Sequence, residues 1–176
     1  IIMTDSENRK VIMIGFMGAG KSSLGRRLAA KWNCRFIDTD DMIVEEQKRS
    51  INEIFDQEGE QYFRDLETDL LKRLKETDET MVIAAGGGLP LREENRRILR
   101  EMGEVVYLEA SVDTLEKRLK GDKKRPMLRG GELRERITAL MNAREEIYRA
   151  AATMILCTDH REKSESLEVL DERLSY

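Results

Sequence analysis

Short apolar runs alternate with helical patterns along this chain of 176 residues. Because strands that alternate with helices form βαβ units, this order predicts an α/β fold: a five-stranded parallel sheet between two layers of helices. The runs with the length and composition of buried strands are Lys10–Ile14, Arg35–Asp38, Met81–Ala85, Val105–Leu108 and Thr153–Cys157.

Amphipathic helices account for most of the remaining chain. Ser50 and Glu53 form a capping-box pattern that predicts a helix start before Ile54. Apolar residues at helical spacing then mark one longer helix: Tyr62, Phe63, Leu66, Leu70, Leu71 and Leu74. Further helices are expected at Glu93–Met102, Val112–Lys120, Leu133–Ala150 and Ser164–Leu174.

The segment 41–75 is longer than a simple crossover between two strands needs, and it contains two helical patterns. Insertions of this kind lie at the carboxyl ends of the strands, where α/β sheets bind ligands. We therefore expect one domain over residues 1–176, with a substrate-binding insertion at 41–75.

The sequence GFMGAGKSS directly follows the first strand, and an amphipathic pattern follows it. It matches G-x-x-x-x-G-K-S, in which backbone N–H groups surround phosphates, the lysine reaches the outer phosphates and the serine hydroxyl binds magnesium. The helix that begins there adds its positive dipole end. The predicted nucleotide-binding residues are Gly15, Gly18, Ala19, Gly20, Lys21, Ser22 and Ser23.

Composition narrows the class of protein. The net charge is −4, with both signs mixed along the chain, which argues against a nucleic-acid binder that relies on overall charge. No apolar run approaches the ~20 residues of a membrane helix. The first residues show no signal-peptide pattern, so we expect a cytoplasmic protein without membrane or nucleic-acid partners.

Two segments after strands two and three hold candidate chemistry. Asp38 and Asp40 lie at the carboxyl end of the second strand. If the strand continues, both carboxylates point to one side, where one can orient magnesium waters and the other can accept a proton from an alcohol. The alternative is that Thr39, Asp40 or Asp41 caps the next helix. After the third strand, Gly86–Gly88 permit close approach of the backbone to a ligand, or form a tight turn.

A basic loop bounded by glycines, residues 121–131, separates two predicted helices. Such a loop suits a lid that excludes water and neutralises charge during phosphoryl transfer. The alternative is an ordinary solvated loop.

Together these motifs resemble the shikimate kinases, in the order and spacing of that family and over nearly the whole chain. The matching stretches are GFMGAGKSS, FIDTD, FRDLE at 63–67, the triple glycine, RPML at 125–128, and Arg144 with Tyr148 in AREEIY. The resemblance implies a P-loop kinase with strand order 2-3-1-4-5. It also implies ATP and shikimate as substrates, Mg²⁺ as cofactor, and shikimate 3-phosphate as a product on the route to chorismate and aromatic amino acids.

The resemblance also implies residue roles. Asp40 would hold the reacting hydroxyl, Asp38 and Ser22 would act through magnesium, and Lys21 and Arg125 would face the transferred phosphate. Glu67 would order the acceptor pocket. Arg118 and Arg161 would contact the adenine, and the carboxylate of shikimate would be held by Arg64, Arg144, Gly86, Gly87 and Gly88. Two arginines suit this last role because guanidinium groups bind carboxylates in a bidentate manner.

Two rival functions share part of this pattern. A kinase acting on gluconate or a nucleoside monophosphate would share the phosphate loop and lid. It would not readily explain why FIDTD and the triple glycine occur in the same chain. A nucleotide-dependent switch would use Asp56–Gly59 as its D-x-x-G motif, yet this stretch falls between helical patterns and no N-K-x-D motif occurs. No self-association stripe is evident, so we expect a monomer.

Overall fold

Five parallel strands form one sheet in the order β2-β3-β1-β4-β5. The structure is a computed structural model that describes residues 9–120 and 132–175. The strands are β1 (Lys10–Ile14), β2 (Arg35–Asp38), β3 (Met81–Ala84), β4 (Glu104–Glu109) and β5 (Met154–Cys157). The expected strands, their order and the three-layer α/β/α class are thereby confirmed, with shifts of one residue at some strand ends.

Helices connect the strands and cover the sheet. They are α1 (Lys21–Trp32), α2 (Thr39–Gln47), α3 (Ile51–Glu58), α4 (Glu60–Glu76), α5 (Glu93–Met102), α6 (Val112–Leu119), α7 (Leu133–Ala151) and α8 (Lys163–Leu174), with a 3-10 turn at Leu89–Leu91. Across the described ranges, 9–120 and 132–175, no helix combines the length and hydrophobicity needed to cross a bilayer.

The central strand, β1, forms the middle of the core. Its apolar residues from Val11 to Ile14 are 0% exposed, because neighbouring strands pair with it on both sides and helices cover it. Ile12 lies in register with Ile83 on β3 and Val105 on β4. A strand buried on both faces reads as a continuous apolar run, which explains why the sequence pattern locates it.

The insertion between β2 and β3 contains three helices, so the expectation of two helical patterns was wrong. The missed helix, α2, begins at Thr39 directly after β2, and only Thr39 and Ile43 are buried along it. With so few buried positions its periodicity is weak. The capping box is confirmed, since Ser50 Oγ accepts a hydrogen bond of 3.1 Å from Glu53 N at the start of α3.

Strands β2, β3 and β1 are neighbours in the sheet. The segments that follow them are therefore adjacent at the carboxyl edge: the start of α2, the triple glycine and the phosphate loop. This topology brings the predicted chemistry to one place.

Candidate active site

The phosphate loop wraps from the end of β1 into the first turn of α1. Gly20, the residue before α1, has a left-handed conformation with φ of 99°. Gly15 has φ of 146°, and a Cβ there would lie 2.7 Å from Leu108 O. Both positions therefore require glycine: Gly20 mainly because of its backbone conformation, and Gly15 because a side chain would have no space. Lys21 Nζ donates hydrogen bonds to Gly15 O at 2.5 Å and Phe16 O at 3.3 Å, which holds the ammonium group over the loop.

The Asp38 carboxylate joins the phosphate loop to helix α2. Its Oδ2 accepts a short hydrogen bond from Ser22 Oγ, and its Oδ1 accepts from Asp41 N at 3.1 Å. Asp38 is thus the N-cap of α2, and the alternative that Thr39, Asp40 or Asp41 fills this role is wrong. A hydroxyl and a carboxylate side by side are hard oxygen donors of the kind Mg²⁺ prefers, so the donor set fits that ion.

Asp40 lies in the first turn of α2 rather than on a strand. The condition for strand alternation is therefore not met, because β2 ends at Asp38, although both carboxylates line the same cleft. A different contact places Asp40: Gly86 N donates to Thr39 Oγ1 at 2.9 Å, which ties the start of α2 to the triple glycine. A Cβ on Gly86 would lie 2.6 Å from Asp40 Oδ1.

One cleft of about 350 Å³ connects these groups. The predicted site residues that line it are Gly18, Gly20, Lys21, Ser22, Ser23, Asp38, Asp40, Gly86 and Gly87. The phosphate loop and Asp40 therefore open onto the same space, as transfer between a nucleotide and a second substrate requires.

Arg64 on α4 is only 5% exposed and is held by two carboxylates. Its Nη1 donates to Glu67 Oε1 at 2.6 Å and its Nη2 donates to Glu60 Oε1 at 3.3 Å. The ion pair with Glu67 agrees with the sequence, in which Arg64 and Glu67 are three residues apart on one helix. The sequence analysis did not include Glu60, although a carboxylate four residues before an arginine on one helix is also placed to form an ion pair with it.

The triple glycine packs against the charged side chains of the insertion and α7. A Cβ on Gly86 would lie 2.9 Å from Glu67 Oε2, and a Cβ on Gly87 would lie 3.5 Å from Arg144 Nη1. A Cβ on Gly88 would overlap the Arg64 guanidinium. None of the three has a positive φ. Gly86 and Gly88 are therefore needed for space and not for backbone conformation, whereas a Cβ on Gly87 would make only an ordinary contact with Arg144.

Arg144 is 2% exposed on α7, and within residues 9–120 and 132–175 its Nη1 has no hydrogen-bond partner. A buried guanidinium N–H without a partner is unfavourable unless a ligand accepts from it. An acceptor carboxylate at the triple glycine would meet this requirement. The structure therefore brings Arg64 and Arg144 to the same glycine turn, where the resemblance implies they lie.

Arg118 and Arg161 meet at a second cavity of about 210 Å³, on the other side of the phosphate loop. Ala19, Gly20 and Ser23 line it as well. Arg118 Nη1 also donates to Gly18 O at 3.1 Å, which fixes the guanidinium beside the loop. The cavity continues from the phosphate site, so it suits the base of the nucleotide.

The predicted lid, residues 121–131, lies outside the described residues, and so does Arg125. Their proposed roles stay predictions from the sequence.

Burial raises the pKa of Glu67 from 4.5 to about 7. Arg64 opposes this rise through its charge and its hydrogen bond, whereas the nearby charge of Asp40 adds to it. The folded protein therefore keeps a proton on Glu67 that the unfolded chain loses near pH 4.5.

This pKa shift predicts a pH-dependent stability. Between pH 4.5 and 7 the folded state binds more protons than the unfolded state, so the free energy of unfolding contributed by Glu67 falls as pH rises and levels off above 7. At about 1.4 kcal/mol per pKa unit the total is about 3 kcal/mol. Glu67→Gln should lack this contribution. Urea unfolding of both proteins from pH 4.5 to 8 should show their difference changing by that amount, and parallel profiles would contradict the assignment.

Known proteins resemble this chain in sequence and in structure. A family model described as shikimate kinase matches residues 17–175. The chain is 47% identical to a shikimate kinase of Geobacter sulfurreducens over 143 residues, which are 81% of this chain and 78% of that protein. It is 40% identical to a shikimate kinase of Dictyoglomus turgidum over 164 residues, 92% and 94% of the two chains.

The fold comparison agrees. A solved structure of the shikimate kinase from Acinetobacter baumannii in complex with shikimate has a TM-score of 0.89 to this chain. The match covers 95% of this chain and 93% of that one at 33% identity.

Proposed function

This chain belongs to the shikimate kinase family, and on that premise we propose that its cleft transfers the γ-phosphate of ATP to the 3-hydroxyl of shikimate. The products are shikimate 3-phosphate and ADP. The enzyme is a phosphotransferase with an alcohol as acceptor, and ATP is its co-substrate.

One structural observation supports this function above the others. Asp40 lies beside Gly86 and lines the same cleft as the phosphate loop, and the two buried arginines lie against the next two glycines, Arg144 near Gly87 and Arg64 near Gly88. A phosphate site, a carboxylate and a pair of guanidinium groups suited to a carboxylate thus surround one glycine turn at the carboxyl edge of the sheet. Shikimate carries both a carboxylate and hydroxyl groups, and the arrangement suits such an acceptor.

On the donor side, the loop N–H groups and the start of α1 bind the phosphates, and Lys21 stabilises the charge that develops on the transferred group. Arg118 and Arg161 enclose the base. Ser22 and Asp38 would hold Mg²⁺, which when bound neutralises charge on the phosphate oxygens.

On the acceptor side, Arg64 and Arg144 bind the carboxylate, assisted by the backbone of the triple glycine. Glu67 and Glu60 orient Arg64. With the carboxylate fixed, Asp40 accepts a hydrogen bond from the reacting hydroxyl, aligns it with the phosphate and takes its proton late in the transfer.

Other expectations stay predictions. These are the role of Arg125 in the lid, the substrate-binding character of the insertion, the monomeric state, the cytoplasmic location and the lack of nucleic-acid and membrane partners.

The rival kinases are separated by an acceptor panel. Shikimate, gluconate and several nucleoside monophosphates should be compared by the rate of ADP formation at equal concentration. We expect shikimate to be preferred by orders of magnitude, since a hydrogen-bonding site rejects acceptors that leave its buried groups unpaired. A faster reaction with gluconate or a nucleotide would contradict the proposal.

The switch alternative loses its motif in the structure. Asp56 lies on α3, and Gly59 forms the junction between α3 and α4. The D-x-x-G sequence therefore lies on a helix and at a helix junction, and not after a strand of the sheet as a nucleotide switch requires.

Replacing either acceptor arginine should chiefly weaken shikimate binding. Arg64→Ala and Arg144→Ala each remove at least one hydrogen bond to a charged group, worth about 1.5–3 kcal/mol, so we expect a Kd for shikimate raised by at least roughly 10- to 100-fold. ATP affinity should change little. Calorimetric titration of each substrate would measure both values.

Each arginine has a matched control on its own helix. Arg73→Ala on α4 and Arg149→Ala on α7 remove exposed arginines whose ion pairs lie at the surface, and both should leave the two affinities near normal. Because Arg64→Ala leaves Glu67 buried without its partner, Arg64→Lys should be measured too. Normal shikimate affinity with lost ATP affinity in either arginine variant would show that the cleft is divided wrongly.

A further inference from the structure

Both helices that carry the acceptor arginines also contact the segment after β3 through a second polar residue. On each helix this residue lies four positions after the arginine: Thr68 follows Arg64 on α4, and Tyr148 follows Arg144 on α7. Residues at this spacing share a helix face. Each helix therefore carries an arginine near the glycine turn and, one turn further on and on the same face, a hydrogen-bonding side chain.

The contact from α7 is direct. Tyr148 is 0% exposed, and its Oη donates to Gly87 O at 2.5 Å. Burial raises the pKa of Tyr148, and the charge of Arg144 opposes that rise, so the phenol lies within electrostatic reach of the guanidinium. Gly87 is also the glycine whose Cβ would meet Arg144. Tyr148 thus fixes the backbone at the point where Arg144 approaches it.

The contact from α4 passes through one further residue. Thr68 Oγ1 lies 3.1 Å from Arg64 O and 2.8 Å from Asn95 Oδ1. Asn95, at the start of α5 and 0% exposed, donates from Nδ2 to Leu89 O at 2.9 Å. Leu89 directly follows Gly88, the glycine that packs on Arg64. The single Thr68 hydroxyl proton has two possible acceptors, and the shorter contact is the one to Asn95. The chain of hydrogen bonds therefore joins Thr68, one turn after Arg64 on α4, to the end of the glycine turn.

Packing alone would not select these side chains. Phenylalanine and valine have nearly the same shapes as tyrosine and threonine, and they would fill the same buried space without a polar group that needs a partner. A satisfied buried polar network instead fixes one relative position of the elements it joins.

We propose that Tyr148 and the Thr68–Asn95 pair are positioning residues of the acceptor site, which hold the glycine turn between Arg64 and Arg144 and set the spacing at which both guanidinium groups meet one carboxylate. This inference rests on the proposed function, in which these arginines bind the carboxylate of shikimate. Displacements of about 1 Å in a reacting geometry can reduce the rate by two orders of magnitude, so such positioning has a measurable effect.

The test compares shikimate with its neutral methyl ester, which lacks the carboxylate charge but keeps the hydroxyl groups. For each variant, kcat/KM is measured with both acceptors, and their ratio does not depend on the fraction of active protein. Tyr148→Phe and Thr68→Val should each lower this ratio by roughly five- to twentyfold, mainly through a higher KM for shikimate, with the KM for ATP unchanged. A general loss of structure would instead lower both values together.

The chain offers a matched control in Tyr107→Phe. The Tyr107 ring lies 5.3 Å from that of Tyr148 and is equally buried, but its Oη has no hydrogen-bond partner within the described residues. This variant removes the same hydroxyl from the same neighbourhood and should leave the ratio unchanged. A comparable fall in Tyr107→Phe would overturn the inference.

The remaining outcomes separate this inference from the proposed function. If Arg144→Lys lowers the ratio while Tyr148→Phe and Thr68→Val do not, the positioning role is wrong and the proposed function stands. If Arg144→Ala, which leaves no cation at this position, also keeps the ratio unchanged, the arginine does not bind the carboxylate and the proposed acceptor site fails. A fall in only one of the two positioning variants confirms that contact and overturns the other.

Discussion

Lys21→Ala should lower turnover by at least about 1,000-fold while the protein still folds. Within the phosphate loop, Lys21 Nζ donates hydrogen bonds to Gly15 O and Phe16 O. It therefore serves the loop and the phosphates rather than the apolar core. Charge stabilisation of a transferring phosphoryl group by one cationic side chain, the arginine finger of GTPases, is worth roughly 10³- to 10⁵-fold.

The measurement is steady-state turnover at saturating ATP and shikimate, with thermal unfolding as a check of the fold. Because Lys21 is 9% exposed, Lys21→Met should be measured alongside, since it keeps the buried stem and removes only the charge. Lys31→Ala on the same helix removes an exposed lysine paired with Asp171 and should keep normal activity. Near-normal turnover in a folded Lys21 variant would refute the nucleotide site.

Asp40→Asn should lower turnover by at least about 100-fold, the low end of general-base effects. The substitution keeps the size of the side chain and one acceptor oxygen but removes the charge and most of the basicity. Phosphoryl transfer has a loose transition state, so Asp40 acts by fixing the hydroxyl in line and by accepting the proton. Folding and ATP affinity should be retained.

Asp38→Asn should fail in a different way. The remaining oxygen can still accept the helix-capping hydrogen bond from Asp41 N, so α2 should stay in place. The loss should fall on magnesium binding, and raising the magnesium concentration should restore part of the activity. No such recovery is expected for Asp40→Asn.

Steady-state kinetics of both variants across a magnesium titration would compare the two carboxylates directly. Recovery of Asp40→Asn by magnesium, or unimpaired turnover in that variant, would show that the two roles are assigned wrongly. Calorimetric titration with ATP and thermal unfolding would establish that either loss lies in the chemistry and not in the fold.

The sequence predicts best what is local. The phosphate loop is contiguous, and its function depends on backbone conformation that glycine permits, so Gly15, Gly20, Lys21 and Ser22 stand out from spacing alone. The strands are located well because a strand buried on both faces is continuously apolar. The strand order is not local, and it came from the resemblance to a family rather than from periodicity.

The sequence predicts poorly what depends on contacts between distant segments. The early start of α2 was missed because few of its residues are buried. The triple glycine predicts close approach of the backbone to a ligand or a tight turn, but no spacing along the chain shows that Gly86 and Gly88 also make room for the charged side chains of Asp40, Glu67 and Arg64. The raised pKa of Glu67 and the link from Thr68 to Asn95 likewise depend on burial that no spacing along the chain reveals.

The most direct test of the account is a coupled assay of ADP release with and without shikimate, with the product identified by mass spectrometry. The account predicts slow ADP release without shikimate, a large increase when shikimate is added, and one shikimate 3-phosphate formed for each ADP. ADP release that shikimate does not accelerate, or ADP without the phosphorylated product, would contradict it.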